Sequence, residues 1–168
     1  MGWEWRVFIP LTNEEVHCFP STVNSEKRTD VYYVENEKNG VKKRNGEGAY
    51  EIKVVIDSKD FGAEKYKKNL VPSTMGHKYL SYIHIDVYKE RQKRIEYSSD
   101  GSMIFETSFV CAKNKWWKSI CWEGTPTLIY HEIKKYFELE DDWIKSDLSD
   151  QLPEGNMICG YPKWVTII

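Results

Sequence analysis

The chain has 168 residues, which is enough for one domain with a substantial hydrophobic core and short for two. Its 24 lysines and arginines stand against 26 aspartates and glutamates, so the formal net charge is −2 and no overall basic field exists to hold nucleic acid or an anionic membrane. Aromatic residues make up 14% of the sequence, which favours β-strands and argues against a disordered chain or a coiled coil.

The N-terminal third of the sequence predicts four strands. Residues 3–9 alternate with the period of two that is typical of a strand with one apolar face, and Pro10 ends it. The β-branched and aromatic residues 28–34 and the short segment 41–44, separated by a turn-like sequence, predict a hairpin. Residues 50–56 alternate again and predict the next strand.

The middle of the chain predicts a loop, three strands and a helix. Residues 57–80 are polar, Lys-rich and weakly periodic, which predicts a loop with a helical turn. Alternation resumes in residues 82–94, 103–112 and 116–123, which predict three consecutive antiparallel strands. Thr125 is a good N-cap and is followed by proline, so the clearest helix of the sequence begins there. Its apolar stripe comprises Leu128, Ile129, Ile133 and Phe137.

The C-terminal part contains an acidic linker at 138–142, a stretch with proline and glycine at 149–160 and an apolar terminus at 164–168. The strands predicted along the whole chain are too many for a helical bundle, and they follow one another without βαβ spacing. The sequence therefore predicts a mainly β protein, either a closed barrel or a sandwich, in one domain spanning residues 1–168.

The cysteines and histidines carry no signal of a metal site. The four cysteines, Cys18, Cys111, Cys121 and Cys159, show no C-x-x-C pair, no secretory signal precedes them, and no apolar run approaches the roughly 20 residues of a membrane span. We therefore expect a soluble, cytoplasmic protein with reduced thiols, in which Cys121 is a small buried residue rather than a nucleophile. Three histidines, His77, His84 and His131, lack the spacing of metal ligands, and we assign them no catalytic or metal-binding role.

Ionisable residues recur two apart in the predicted strands, and hence on one face of each strand. These pairs are Glu4/Arg6, Lys42/Arg44, Glu51/Lys53 and Lys89/Arg91, and single acids follow at Glu106 and Glu123. Any one pair is most simply a solvent-exposed face, but several strands with the same feature weaken that interpretation. Lys89 and Arg91 continue the side of Ile83, Ile85 and Val87, which is typical of a strand that runs from the packed end of a barrel into a polar cavity.

A cavity lined by lysine and arginine from several strands suits a polyphosphate, because each phosphate oxygen accepts charge-assisted hydrogen bonds. Carboxylates in the same cavity would hold Mg²⁺ or Mn²⁺, since these hard cations prefer carboxylate, water and phosphate oxygens. Such a metal polarises a phosphoryl group for in-line attack by water. The pattern of charges thus favours a phosphate ligand, although spacing alone does not specify one.

The motifs, taken in order, resemble those of the CYTH or triphosphate-tunnel superfamily, which includes thiamine triphosphatases, class IV adenylyl cyclases and inorganic tripolyphosphatases. The segments that carry the resemblance are WEWRVF (3–8), RTDVYYV (28–34), GVKKR (40–44), YEIKV (50–54), VYKER (87–91), FETSFV (105–110), SICWEG (119–124) and CGYPKWV (159–165). The resemblance implies a closed antiparallel β-barrel of about eight strands with a few helices, acting on inorganic tripolyphosphate, a nucleotide or thiamine triphosphate.

The resemblance also implies a role for each matching residue. The phosphate ligands would be Arg6, Lys42, Arg44, Lys53, Lys89 and Arg91. The catalytic residues would be Glu4, Glu51 and Lys53, and the ligands of Mg²⁺ or Mn²⁺ would be Glu4, Glu106 and Glu123.

The chain departs from the family where two acidic E-x-E pairs are expected. Gly2 replaces the first acid of the pair that ends in Glu4, and Cys121 replaces the first acid of the pair that ends in Glu123. Fewer oxygen ligands weaken the binding of divalent metal. Three functions follow from the sequence: a metal-assisted phosphohydrolase, a non-catalytic domain that binds a polyphosphate or another anion, and a structural or interaction protein without a ligand.

Overall fold

The computed structural model describes residues 2–17, 25–99, 101–139 and 152–168. The strands are β1 Trp3–Pro10, β2 Glu26–Val34, β3 Asn39–Lys43, β4 Tyr50–Ser58, β5 Glu64–Val71, β6 Ile83–Ser98, β7 Gly101–Ala112, β8 Lys115–Gly124 and β9 Met157–Ile158. The α-helices are α1 Asn13–His17, α2 Pro126–Tyr136 and α3 Tyr161–Ile167. Short 3₁₀ helices lie at Arg44–Gly46, Ser73–Met75 and His77–Ser81.

Eight of the strands in the described residues close into an antiparallel barrel, in the order β5-β4-β3-β2-β6-β7-β8-β1. The last neighbours, β1 and β5, pair at Trp3 with Lys65 and at Glu4 with Glu64, which closes the sheet. Further along, β1 pairs instead with the short β9, where Val7 lies opposite Ile158. The predicted mainly β fold and closed barrel are confirmed.

Side-chain alternation along β1 separates two hydrophobic clusters. Trp5 and Val7 face outward and belong to a cluster that includes residues of α2, so this helix covers the outer surface of β1, β7 and β8. The predicted start of α2 is confirmed, because the Thr125 hydroxyl accepts a hydrogen bond from the Leu128 amide and Pro126 occupies the first turn. Burial of the stripe on α2, including Ile129 and Ile133, fixes the helix to the barrel.

The C-terminal helix α3 closes one end of the barrel. Its Trp164 is fully buried and stacks on Phe8, an inward-facing residue of β1, with 4.5 Å between ring centroids. Val87, Val110 and Trp117 belong to the same cluster, in which other strands and α3 meet. One end of the interior is therefore filled by apolar side chains.

Residues 57–80 correct the sequence prediction, because the expected loop contains strand β5 as well as the expected helical turns. The inward face of β5 carries Glu64, Tyr66 and Lys68, and the outward residues Lys65 and Lys67 are also polar. Because both faces carry charged residues, the strand has no regular apolar period of two. The inward face is polar because it meets a polar interior.

Several other expectations bear on the described residues. Cys111, Cys121 and Cys159 are free thiols, and Cys121 is fully buried as expected. The acidic linker 138–142 and the stretch 149–160 extend into residues 140–151, which lie outside the described part of the chain. The apolar terminus predicted at 164–168 lies largely in α3. No helix among the described residues is both long enough and apolar enough to cross a bilayer.

Candidate anion-binding site

A cavity of about 210 Å³ occupies the interior of the barrel beside α3. Among the described residues, nine cationic side chains and four acidic ones line it. The cations come from six different strands and the residue that follows β3, so the closed sheet brings together groups far apart in sequence. The structure thus places an excess of positive charge inside a protein whose net charge is −2.

All ten of the site residues predicted from the sequence line this one cavity. They are Glu4, Arg6, Lys42, Arg44, Glu51, Lys53, Lys89, Arg91, Glu106 and Glu123. The cause is the period of two in each strand, which turns alternate side chains inward. The register of the strand pairs then places Lys42 opposite Glu51 and Glu4 opposite Glu123. Their predicted roles as phosphate, metal or catalytic groups stay predictions.

Asp30 is the centre of one group of cations, which we call the Asp30 set and which comprises Arg28, Lys42 and Lys89. This carboxylate is fully buried and accepts a hydrogen bond of 2.9 Å from Lys89 Nζ. Arg28 Nε lies 3.0 Å away and Lys42 Nζ 3.4 Å away. Burial alone would raise the pKa of Asp30, but the charges of Lys89 and Lys42 outweigh burial and hold its pKa well below the usual range.

The cations of the Asp30 set remain close to the cavity. Lys89 Nζ also donates to the Tyr32 hydroxyl at 2.7 Å. Lys42 is partly exposed, and burial lowers its pKa to about 8 although Asp30 acts in the opposite direction. The ammonium of Lys42 is therefore a group that gains or loses its proton near neutral pH.

Glu106 is the centre of a second group, the Glu106 set, which comprises Arg6, Arg91 and Lys93. Its carboxylate accepts hydrogen bonds from Arg6 at 3.2 Å, from Arg91 at 3.0 Å and from the Ser108 hydroxyl at 2.9 Å. Lys93 Nζ lies 3.7 Å away. Burial would raise the pKa of Glu106, but Arg6 and Arg91 hold it well below the usual range.

The remaining acids of the cavity differ in their contacts. Glu4 accepts a hydrogen bond of 2.6 Å from Lys53 and lies 3.6 Å from Lys68. Burial would raise the pKa of Glu4, but Lys53 and next Arg6 lower it below its ordinary value. Glu51 makes a long contact of 3.5 Å with the exposed Arg44. These acids neutralise only part of the positive charge.

Tyr161, the first residue of α3, forms an aromatic wall beside the cations. Lys89 Nζ lies 3.9 Å from the centroid of its ring and Arg6 Cζ lies 4.6 Å from it. A ring face stabilises a cation without neutralising its charge. The cations can therefore be packed closely and still attract an anion.

Sequence reasoning missed five residues of this site: Arg28, Asp30, Lys68, Lys93 and Tyr161. A signal existed for three of them, because Arg28 and Asp30 lie two apart in a predicted strand and Lys93 continues the alternation of Lys89 and Arg91. Lys68 lies in the segment predicted as a loop. Tyr161 lies in the segment 159–165 that contributes to the resemblance, but its place in the cavity depends on how α3 enters the barrel.

One cluster of the site has a geometry suited to a metal ion. Ligand atoms of Glu4, Cys121 and Glu123 all lie within 4.8 Å of one another. Mg²⁺ in phosphate-processing sites is commonly held by one or two carboxylates together with phosphate oxygens and water, so Glu4 and Glu123 fit such an ion. Glu106 lies in its own set of cations, and its predicted role as a metal ligand stays a prediction.

Comparison of the chain with family models and with curated proteins gives no match. The closed antiparallel barrel of eight strands is compatible with the tunnel fold that the sequence motifs imply. Membership of the triphosphate-tunnel superfamily stays a prediction, supported by this fold and by the convergence of the motif residues on one cavity.

Proposed function

We propose that the barrel binds a linear polyphosphate in its cavity, either inorganic tripolyphosphate or the triphosphate group of a nucleotide or of thiamine triphosphate. The observation that carries this proposal is the convergence of nine cationic side chains on a cavity lined by four acids, counted over the described residues. The positive charge stays in excess when Asp30 and Glu26, which pair with some of the same cations, are added to these acids. Lysine offers up to three donors and arginine five, and each hydrogen bond to phosphate is charge-assisted. A ligand with several anionic oxygens uses more of these donors than a single phosphate.

Two unpaired donors support the same proposal. Within the described part of the chain, Arg91 Nε and the Tyr161 hydroxyl are buried without a hydrogen-bond partner, and both residues line the cavity. A buried donor left unpaired costs about 1–3 kcal/mol. Oxygens of a bound phosphate chain would satisfy these two groups.

A second candidate function, metal-assisted hydrolysis of the same ligand, is favoured by the position of Glu4 and Glu123 at the cavity. A divalent ion held by these two carboxylates would polarise a phosphoryl group. Lys53, which is hydrogen-bonded to Glu4, would stabilise the charge that develops on the phosphoryl oxygens. Glu51 lies on the same face of β4 as Lys53 and would accept a proton from the attacking water.

Calorimetric titration with tripolyphosphate in metal-free buffer tests the binding function. The variant to compare is Lys42→Ala/Arg91→Ala, which leaves Asp30 paired with Arg28 and Lys89 and leaves Glu106 paired with Arg6 and Lys93. No buried carboxylate loses all of its partners, so the fold is retained. Two lost charge-assisted hydrogen bonds, at about 1.5–3 kcal/mol each, predict a loss of affinity of roughly a hundredfold or more.

The matched control is Lys67→Ala/Lys135→Ala, which removes two charges from exposed positions outside the cavity. We expect this control to bind tripolyphosphate within about twofold of the wild type, because exposed charges are screened by salt. Equal losses in both double variants would contradict a site inside the barrel. A wild-type protein that does not bind would leave the structural or interaction role as the function.

Release of phosphate from tripolyphosphate, ATP and thiamine triphosphate in the presence of Mg²⁺ or Mn²⁺ tests the second candidate. We expect Glu123→Gln to reduce the release by at least about tenfold while binding of tripolyphosphate persists, because one of two carboxylates is lost. Binding without release in the wild type would contradict hydrolysis and leave the binding function.

A further inference from the structure

The pairing of β1 with β8 places a thiol beside the two carboxylates of the candidate metal cluster. Glu4 lies directly opposite Glu123, and the next inward-facing pair is Arg6 opposite Cys121. Cys121 and Glu123 are two apart on β8, so both side chains face the interior. The register therefore brings one sulfur and two carboxylate groups together, with ligand atoms within 4.8 Å of one another.

The contacts of this cluster distinguish it from the rest of the cavity. Within the described part of the chain, the side-chain carboxylate of Glu123 forms no hydrogen bond or ion pair, although nine cations line the same cavity. Cys121 is fully buried, and its thiol makes no hydrogen bond to a described residue. Glu4 uses one oxygen in the 2.6 Å bond to Lys53, and its other oxygen has only the 3.6 Å contact with Lys68. Each of the three residues therefore has a ligand atom to offer.

We propose that Glu4, Cys121 and Glu123 form a binding site for a borderline divalent transition metal such as Zn²⁺ or Co²⁺, in preference to Mg²⁺. Binding of the metal would release the proton of the buried Cys121 thiol to solvent. The resulting thiolate is a soft ligand that zinc and cobalt accept, whereas Mg²⁺ requires oxygen ligands. Three protein ligands with an open fourth position are the usual arrangement of a catalytic zinc site. The inference deepens the metal-assisted function proposed above and rests on it for any role in hydrolysis.

The distances require only small adjustments of side chains. With metal–ligand bonds of about 2.0–2.3 Å in a tetrahedral site, neighbouring ligand atoms lie roughly 3.5 Å apart. The three atoms must therefore approach one another by at most about 1.3 Å. Glu123 is only half-buried, so its carboxylate can move in this way more readily than the fully buried thiol.

Titration of the full-length protein with Co²⁺ tests the site by absorption spectroscopy, with and without one equivalent of tripolyphosphate. A cobalt–thiolate bond gives a charge-transfer band in the near-ultraviolet that carboxylate ligands do not give. We expect the wild type to develop this band, Zn²⁺ to abolish it and excess Mg²⁺ to leave it. Cys121→Ser is expected to lose the band, and the matched control Cys159→Ser, which alters another buried thiol, is expected to retain it.

Glu123→Gln keeps the thiol and is expected to weaken Co²⁺ binding by at least about tenfold, which tests the cluster even where Cys121→Ser does not fold. The absence of the band in the wild type under both conditions would overturn the inference, as would a band undiminished in Cys121→Ser. Binding of tripolyphosphate in metal-free buffer is measured separately. Its persistence alongside a failed cobalt titration would refute this metal site and leave the polyphosphate function standing.

Discussion

Two buried carboxylates, Asp30 and Glu106, allow the cations of this barrel to pack closely. Like charges repel strongly in an interior of low dielectric constant, and an unpaired buried charge carries a desolvation cost of several kcal/mol. Asp30 and Glu106 each lie among three cations. Because one negative charge faces three positive ones in each set, the cavity keeps an excess of positive charge for a ligand.

Replacement of Asp30 by asparagine is therefore expected to destabilise the protein. The Asp30→Asn variant leaves Lys89, which is nearly fully buried, without a carboxylate partner and leaves the buried Arg28 paired with Glu26 alone. Loss of one partner of a buried ion pair costs about 3–5 kcal/mol, so urea unfolding at pH 7 should show a decrease of that size in the free energy of unfolding. Glu96→Gln breaks the more exposed pair with Arg94 and should cost less than about 1 kcal/mol. Equal losses in the two variants would contradict this account of Asp30.

The lowered pKa of Lys42 predicts how the affinity for tripolyphosphate depends on pH. Its pKa is lowered to about 8, so the free protein loses this charge as pH rises through 8. A bound polyanion favours the protonated lysine, so binding is coupled to proton uptake and the affinity for tripolyphosphate falls as pH rises. We expect a drop of roughly fivefold to tenfold between pH 7 and pH 9 that Lys42→Arg does not show, since arginine keeps its charge.

Calorimetric titrations of wild type and Lys42→Arg at the two pH values measure this difference. The titration of the ligand itself is common to both proteins and cancels in the comparison. Identical pH profiles for the two proteins would show that Lys42 does not contact the anion.

The sequence predicted which side chains line the cavity better than it predicted the ion pairs that fix those side chains in position. Lys89 and Arg91 were predictable because the alternation of a strand is a local property, and the barrel preserves it. The contact of Asp30 with Lys42 is not local, because it depends on pairing between β2 and β3 and on burial. Which carboxylate serves which cation is fixed only when the sheet closes.

At the level of the elements, α3 shows why the helix that closes one end of the barrel could not be predicted from the sequence. It is a helix of 7 residues with a proline in its first turn, too short for a reliable helical period. Its position depends on contacts with strands at the other end of the sequence, such as Trp164 with Phe8. Strand β5 was missed for a related reason, since its inward face is polar and follows no apolar alternation.

The close packing of α3 against the barrel depends on a glycine in β3. A Cβ atom at Gly40 would lie 2.7 Å from Cγ of Pro162, which is part of a rigid ring and buried. Gly40→Ala should therefore displace α3 and lower the free energy of unfolding by about 1–3 kcal/mol, the usual cost of overpacking. Gly2→Ala is the control, because no atom lies within 4 Å of its added Cβ. Urea unfolding of both variants checks the prediction. A Gly40→Ala protein with the wild-type free energy of unfolding would contradict the close packing of α3 against β3.

At the level of the whole molecule, net charge and local charge have opposite signs. The chain carries a net charge of −2, yet its interior cavity is lined mainly by cations. Composition alone therefore excludes a general affinity for nucleic acid but not an enclosed site for a small anion. Enclosure matters, because buried charges are screened by salt far less than exposed ones.

The central claim is that a polyphosphate binds inside the barrel, and a crystal structure of the protein with tripolyphosphate tests it most directly. We predict density for the phosphate chain within the cavity, in contact with Lys42 of the Asp30 set and Arg91 of the Glu106 set, and with the Arg91 Nε and the Tyr161 hydroxyl hydrogen-bonded to its oxygens. An anion bound at the outer surface of the sheet, with the cavity occupied only by water, would contradict the account.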